Sequence, residues 1–157
     1  MRTHYQLKRL EVSHYHDVRE VYADAIEHQI ADFYTKEQIQ SWSSLAWLPG
    51  FLDRSLVEGK GWISLKKEKV EAFAVRYPVE RLALLYCRSR SSRQGHASAL
   101  LDCVELEAMK EGQTYLVTEA SLLSYPLLLR RGWILIGPET IQIAGVSFDR
   151  FRMQKTF

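Results

Sequence analysis

Between Arg88 and Ser98 the chain reads R-S-R-S-S-R-Q-G-H-A-S, a basic, serine-rich loop that runs into an apolar-periodic segment. A helix starting here would present several backbone N–H groups with no helical partner, and the helix dipole adds partial positive charge at that end. Gly95 and Ala97 remove side chains that would block close approach, while Arg88, Arg90 and Arg93 add charge. These residue types in this order suit the binding of a phosphate-like anion on backbone amides. They equally suit a tight turn at Gly95 flanked by solvated arginines. Neither the G-x-x-x-x-G-K-[ST] loop nor the G-x-G-x-x-G fingerprint of nucleotide-binding folds is present.

The elements that must hold this loop follow from periodicity. Tyr5–Val12 alternates as an imperfect strand, and Ser13 can cap an amphipathic helix over His14–Gln29. Thr35 with Gln38 forms a capping box for a helix over Lys36–Trp42, and Pro49 opens a helix over Pro49–Glu58 that Gly59 closes. The period then shortens to two. Gly61–Lys66 and Val70–Tyr77 read as a hairpin turning at Lys67–Lys69, and Val79–Cys87 is a largely apolar, central strand. The helix after Gln94 buries Ala97, Leu100, Leu101, Val104 and Ala108, and Gly112 stops it. A strand Tyr115–Glu119 follows, then a helix Ser121–Arg131 with Pro126 near its first turn. Strands Trp133–Gly137 and Ser147–Met153 close the chain through a turn at Ala144–Gly145. The strand–helix–strand crossover from Val79 to Glu119 requires a parallel pair inside a mixed α/β sheet.

Bulk properties exclude several classes. The chain has 157 residues, enough for one cored domain over 1–157 and short for two. It is 46% hydrophobic and 25% charged with net charge +2, too even a balance to argue for nucleic acid or an anionic membrane surface. No apolar run approaches a membrane span, and the first twelve residues lack the apolar stretch of a signal peptide. Cys87 and Cys103 have no metal-ligand spacing and read as reduced thiols of a cytoplasmic protein. His4, His14 and His16 show no metal spacing either.

Ser92-Arg93-Gln94-Gly95-His96-Ala97, followed by Ser98-Ala99-Leu100-Leu101, resembles the cofactor motif of the GNAT superfamily of acetyltransferases, Q/R-x-x-G-x-G/A ahead of a leucine-rich helix. Ser92 replaces the usual Gln or Arg. Val117-Thr118-Glu119-Ala120-Ser121, Pro126 and Arg130-Arg131-Gly132-Trp133 look like the family's second half, with its closing R-x-G-F signature. Tyr34-x-x-x-Gln38-x-x-x-Trp42 resembles a segment of a small bacterial subset of that family. The likeness spans nearly the whole chain. It implies a mixed, twisted sheet of six to seven strands, flanked by helices and splayed between Val79–Cys87 and Tyr115–Glu119, with acetyl-CoA in the gap. The pantetheine arm would lie along Leu85, Tyr86 and Cys87, and the pyrophosphate on the loop Ser92 to Ser98.

Acetyl transfer to an amine needs a base for the ammonium, alignment of the thioester, donors for the oxyanion and a proton for the leaving thiolate. The backbone near Tyr86 is the expected oxyanion donor. The tyrosine that many relatives place in P-F-Y-E-R-x-G-F is Leu128 here, an asparagine a few residues earlier is Leu123, and an acidic position on the first strand falls near Ala83. Tyr125 is a substitute acid that could instead be a surface residue beside a proline. Glu119 is a candidate base that could instead cap the next helix. Glu27 and His28 end the first helix, where family acceptor sites often lie, and His28 equally suits a dipole partner. Tyr34 and Trp42 are expected either to wall an acceptor pocket or to anchor a short helix. Direct attack in a ternary complex fits better than an acetyl-cysteine route, because no histidine pairs with either cysteine. The alternative is an acyl-CoA-binding or sensing protein on the same fold, and a homodimer is compatible with both.

Overall fold

The computed structural model describes residues 5–29 and 31–157. His4 lies outside them. The chain orders as β1 (Gln6–Arg9), α1 (Tyr15–Gln29), α2 (Lys36–Ser43), α3 (Asp53–Glu58), β2 (Lys60–Lys66), β3 (Lys69–Arg76), β4 (Arg81–Cys87), α4 (His96–Lys110), β5 (Tyr115–Ala120), α5 (Tyr125–Arg130), β6 (Ile134–Ile143) and β7 (Val146–Thr156). The strands form one seven-stranded sheet in the order β1-β2-β3-β4-β5-β7-β6. Every neighbouring pair is antiparallel except β4 with β5. Helix α4 makes the crossover between these two, as the sequence requires.

The sheet separates two cores. On one face Val18, Val21, Tyr22 and Ile26 of α1 pack with Phe73, Val75, Leu84 and Phe148. On the other, Leu100, Leu101, Val104 and Ala108 of α4 pack with Leu82, Leu116, Leu128 and Trp133. Ala97, expected in this stripe, is only half-buried, because it sits in the first turn beside the cleft described below.

Local chemistry moves several boundaries. The first strand is shorter than its alternation suggests, and the chain turns through Val12–His14 in a 3-10 turn. There Glu11 and His14 form the cap in place of Ser13, with the Glu11 N–H donating to His14 Nδ1 at 3.0 Å. Helix α3 begins at Asp53 and not at Pro49, because Gly50 has φ +83° and its N–H is taken by Asp53 Oδ2 at 2.8 Å. Helix α5 begins at Tyr125 and not at Ser121. The Ser121 N–H donates to Ser124 Oγ at 3.0 Å and the Ser124 N–H to Ser121 Oγ at 3.1 Å, which holds a turn in place of helix. The last two strands run longer than expected and meet through Ala144–Gly145, both at positive φ.

The parallel pair is the feature that positions the site. It has two rungs, Arg81 opposite Val117 and Leu82 opposite Thr118. The Thr118 hydroxyl donates to the Leu82 carbonyl at 2.7 Å at the second rung. Beyond it the strands part. Across β4 the register with β3 runs Arg76 to Leu82 and then Val75 to Leu84, so Ala83 is an extra, bulged residue. A bulge bends its strand and increases local twist, which turns the end of β4 away from β5.

Candidate functional site: a split sheet between two cavities

Two cavities open at the split. One of about 860 Å³ runs from the end of α1 along Leu85–Cys87 to the start of α4. The other, of about 460 Å³, lies on the far side of the gap, against β5, β7 and the aromatic residues of α2. Trp42, Leu85, Tyr86, Ser121 and Ser124 line both, so the cavities meet at these side chains.

The larger cleft carries main-chain polar groups. The Arg88 N–H donates to the Glu71 carbonyl at 2.7 Å, on the β3 side. By strand alternation the N–H and C=O groups of Leu85 and Cys87 face away from β3, toward the gap, while those of Tyr86 face β3. The backbone donors available in the gap are therefore those flanking Tyr86 and not its own. The Cys87 carbonyl accepts a hydrogen bond from the Gln29 side-chain amide of α1.

At the far end of the cleft the loop into α4 curls. Arg93 has φ +61° and Gly95, the N-cap, φ +92°. The first amide to close onto the helix is that of Ala99, onto Gly95 O at 3.0 Å, which leaves the N–H groups of His96, Ala97 and Ser98 without helical partners. Left-handed residues interspersed with such amides form an anion-binding concavity. A methyl group on Gly95 would meet no protein atom closer than 4.0 Å, so the space before the amides is open.

The arginines divide. Glu71, 3% exposed, accepts Arg90 Nε at 2.8 Å, Arg90 Nη2 at 2.6 Å and Ser91 Oγ at 2.5 Å. Arg88 Nε donates to the Val70 carbonyl at 2.9 Å, with Glu71 a further 3.9 Å ion-pair neighbour. Both arginines thus build the loop and are not free for a ligand, contrary to the expectation from composition. Burial pushes the Glu71 carboxyl up, but the hydrogen bonds from Arg90 and Ser91 and the charges of Arg90 and Arg88 outweigh it and hold it below its ordinary value of 4.5. Arg93 lines the cleft and forms no ion pair among the described residues. Gln94 turns away: it accepts Lys66 Nζ at 3.0 Å and does not line the cleft.

His96 also departs from expectation. Its ring is 1% exposed and points into the protein, with Nδ1 2.6 Å from the buried Ser64 Oγ and Tyr5 packed over it at 5.1 Å between centroids. It does not face solvent or a bound phosphate. Burial lowers its pKa from 6.5.

The smaller cavity gathers the aromatics. Tyr34 meets Trp42 edge-on at 5.4 Å, and Phe148 lies 6.1 Å from Tyr34 and 6.0 Å from Trp42. The Tyr34 hydroxyl accepts the Leu122 N–H at 2.9 Å and so ties this wall to the Ser121–Ser124 turn. Tyr34 and Trp42 are at once cavity wall and core. Tyr22 packs on Tyr86 at 4.6 Å, and burial pushes the Tyr86 phenol up to about 12.

Glu119 lines this cavity and accepts from Arg81 Nε, at 3.2 Å and 2.9 Å to its two oxygens. Leu128, 1% exposed, lines it as well. The other expected catalytic residues fall elsewhere. Tyr125 packs on Phe151 at 4.6 Å and lines neither cavity. Glu27 is exposed outside both. His28 lines only the larger cleft, its Nδ1 3.1 Å from the Asp24 carbonyl oxygen of its own helix. Ser121 and Ser124, unremarked in the sequence, place hydroxyls where the cavities meet, 3.2 Å apart. Their signal was an S-x-x-S turn ahead of Pro126. Burial pushes the Cys87 thiol up to about 12, which leaves it a poor nucleophile.

No family model matches the chain, and no curated protein matches it in sequence. Solved structures do match in shape. A GCN5-related N-acetyltransferase from Rhodopseudomonas palustris superposes with a TM-score of 0.95 at 20% identity, over 100% of this chain and 98% of that one. The PaiA N-acetyltransferase of Thermoplasma acidophilum, in complex with coenzyme A, gives 0.72 at 14% identity, over 99% and 100%. YncA of Salmonella typhimurium, a putative acetyltransferase with its cofactor acetyl-CoA, gives 0.67 at 14%, over 98% and 94%. The chain has the GNAT fold: an open, seven-stranded mixed sheet flanked by helices. No helix among the described residues is long and apolar enough to cross a membrane.

Proposed function

We propose that the protein is an acetyl-CoA-dependent N-acetyltransferase that joins acetyl-CoA and an amine in a ternary complex. The observation that carries this is the parting of β4 from β5 beyond Leu82 and Thr118, which leaves main-chain groups facing a cleft that ends on unpaired amides at Gly95–Ser98. The pantetheine would lie along Leu85–Cys87 and the pyrophosphate on the loop Ser92–Ser98, with backbone amides and Arg93 as its partners. Ser92 needs no longer side chain for this, since the contact is made by backbone. The likeness of fold to proteins solved with coenzyme A and with acetyl-CoA supports the same placement.

Acetyl-CoA supplies an activated acyl group. The amine nitrogen bonds to the thioester carbonyl carbon, the C–S bond breaks, and the sulfur leaves with the electron pair. The Leu85 and Cys87 backbone donors stabilise the oxyanion. Glu119 takes the proton of the attacking ammonium directly or through water, and Arg81 fixes the orientation of its carboxylate. Leu128 cannot give a proton to the sulfur, and Tyr125 is turned away. The Ser124 hydroxyl, at the junction of the cavities, takes that place as a relay: it passes a proton to the sulfur and regains one from the nitrogen of the tetrahedral intermediate, so it ends neutral. Cys87 and Cys103 are free thiols, in keeping with a reducing, cytoplasmic setting.

The apolar Leu128 favours a second reading, an acyl-CoA sensor without turnover. Incubation with acetyl-CoA and a panel of primary amines, followed by mass spectrometry and thiol release, separates the two. Acetylated amine formed in step with free thiol supports the transferase. Saturable binding with no product supports the sensor.

A further inference from the structure

Resting on the transferase reading, we propose that the acceptor is an amine that also carries a carboxylate, of the amino-acid class, and that Arg150 holds that carboxylate. Strand alternation places Arg81, Glu119, Arg150, Arg152 and Glu139 on the face of the sheet that bears Phe148. Arg81 pairs with Glu119 at 2.9 Å, and Glu139 takes Arg150 through Nε, with Arg152 at 3.9 Å as its further partner. Within the cavity itself Arg81 and Arg150 face Glu119 and Asp149, so its lining carries no net charge and the two arginines differ only in how they are paired.

Arg150 is the arginine with donors to spare. It lines the smaller cavity, its side chain is 30% exposed, and its positive charge is felt by the Tyr86 phenol at the junction with the cofactor cleft. Glu139 fixes the guanidinium through Nε alone. The terminal nitrogens have no partner among the described residues. A guanidinium held at Nε and free at its fork is preorganised for a bidentate carboxylate. Asp149 also lines the cavity and its charge is felt by the Tyr34 phenol, but its carboxylate is engaged by the Thr140 hydroxyl at 2.9 Å.

The spacing sets the class further. Glu119 lies opposite Arg152 in the β5/β7 register, so Arg150 is its diagonal neighbour on the same face. Diagonal positions are about 7–8 Å apart at the backbone. Two long side chains reaching from such positions converge on groups close together, as the amine and carboxylate of an amino acid are. Tyr34, Trp42 and Phe148 then offer an apolar, aromatic wall to the side chain of the acceptor. A diamine or a polyamine brings no carboxylate to the free fork of Arg150.

The test compares compounds that differ only in the carboxylate: L-phenylalanine with 2-phenylethylamine, and L-leucine with 3-methylbutylamine. Each is assayed for acetyl transfer at saturating acetyl-CoA and titrated directly onto the protein. The expected result is a preference for the carboxylated member of about 10- to 100-fold, the range of a charge-assisted hydrogen bond. Arg150→Gln should abolish that preference while the KM for acetyl-CoA stays unchanged, and Arg150→Lys should restore part of it. Equal or better use of the decarboxylated amines overturns the proposal. So does a preference that survives in Arg150→Gln, or no interaction with either amino acid. Failure to bind acetyl-CoA would instead overturn the transferase reading, and the direct titrations would still score Arg150.

Discussion

The Thr118 hydroxyl donates to the Leu82 carbonyl at 2.7 Å, and this bond closes the last rung at which β4 and β5 run together. Both residues are buried, so neither group has water as an alternative. Thr118→Val removes this side-chain bond from a buried rung and should cost about 1 kcal/mol of stability, read as a lower urea midpoint at unchanged m-value. Acetyl-CoA affinity should fall too, since the root of the cleft loosens. Unchanged stability would show that the rung is not held by this bond.

Gly95 should tolerate no side chain, for reasons of backbone and of ligand. Its φ of +92° strains any L residue, though a methyl group would strike no protein atom. Gly95→Ala should lose about 1 kcal/mol of stability by urea denaturation. It should weaken acetyl-CoA by a larger factor in calorimetry, because the methyl stands in front of the amides. A loss of stability without loss of affinity would place the pyrophosphate elsewhere.

Glu71 ties the loop to β3 from beneath. Its folded pKa lies below 4.5, so its stabilisation is complete above that ordinary value and is lost as pH falls through the folded one. Acid titration should therefore show amide protection at Ser89–Gly95 failing below about pH 4.5. Glu71→Gln should remove that acid dependence and cost about 2 kcal/mol at neutral pH, since Arg90 is partly exposed and Arg88 is not. Retained acid sensitivity in the variant would assign it to other carboxylates, such as Glu107.

His96 acts with the same sign in a different window. Burial holds its pKa below 6.5, so the unfolded chain binds the extra proton first. Stability is complete above about pH 6.5 and declines as pH falls through the folded pKa. The slope of unfolding free energy between neutral pH and pH 5 should flatten in His96→Gln. A slope that persists would show that His96 does not carry it.

The Ser124 hydroxyl should matter for departure of the sulfur and not for binding. Ser124→Ala should lower kcat severalfold with the KM for acetyl-CoA unchanged. Tyr125→Phe should leave both alone, because that ring packs on Phe151. The opposite pattern would restore Tyr125 as the acid.

Much of this was legible in the chain. The crossover from β4 through α4 to β5 follows from periodicity, and the loop before α4 from its glycine and serine content. The bulge at Ala83 was not, because an extra residue in an apolar run leaves no mark on alternation until the partner strand is known. Glu71 lies in the expected strand Val70–Tyr77 with nothing to single it out, and its burial appears only when Arg88, Arg90 and Ser91 fold over it. For the same reason the loop's arginines looked free. Tyr125 and Ser124 exchanged places because the start of a short helix sets which residue faces the gap. The S-x-x-S turn moves that start from Ser121 to Tyr125.

The central claim is that the split sheet holds acetyl-CoA by its pyrophosphate. Calorimetric titration with acetyl-CoA, beside coenzyme A lacking its 3′-phosphate and beside adenosine, tests it most directly. Micromolar, saturable binding of both coenzymes, with none for adenosine, is the predicted result. A folded sample that binds none of the three would contradict the claim, and with it both the transferase and the sensor.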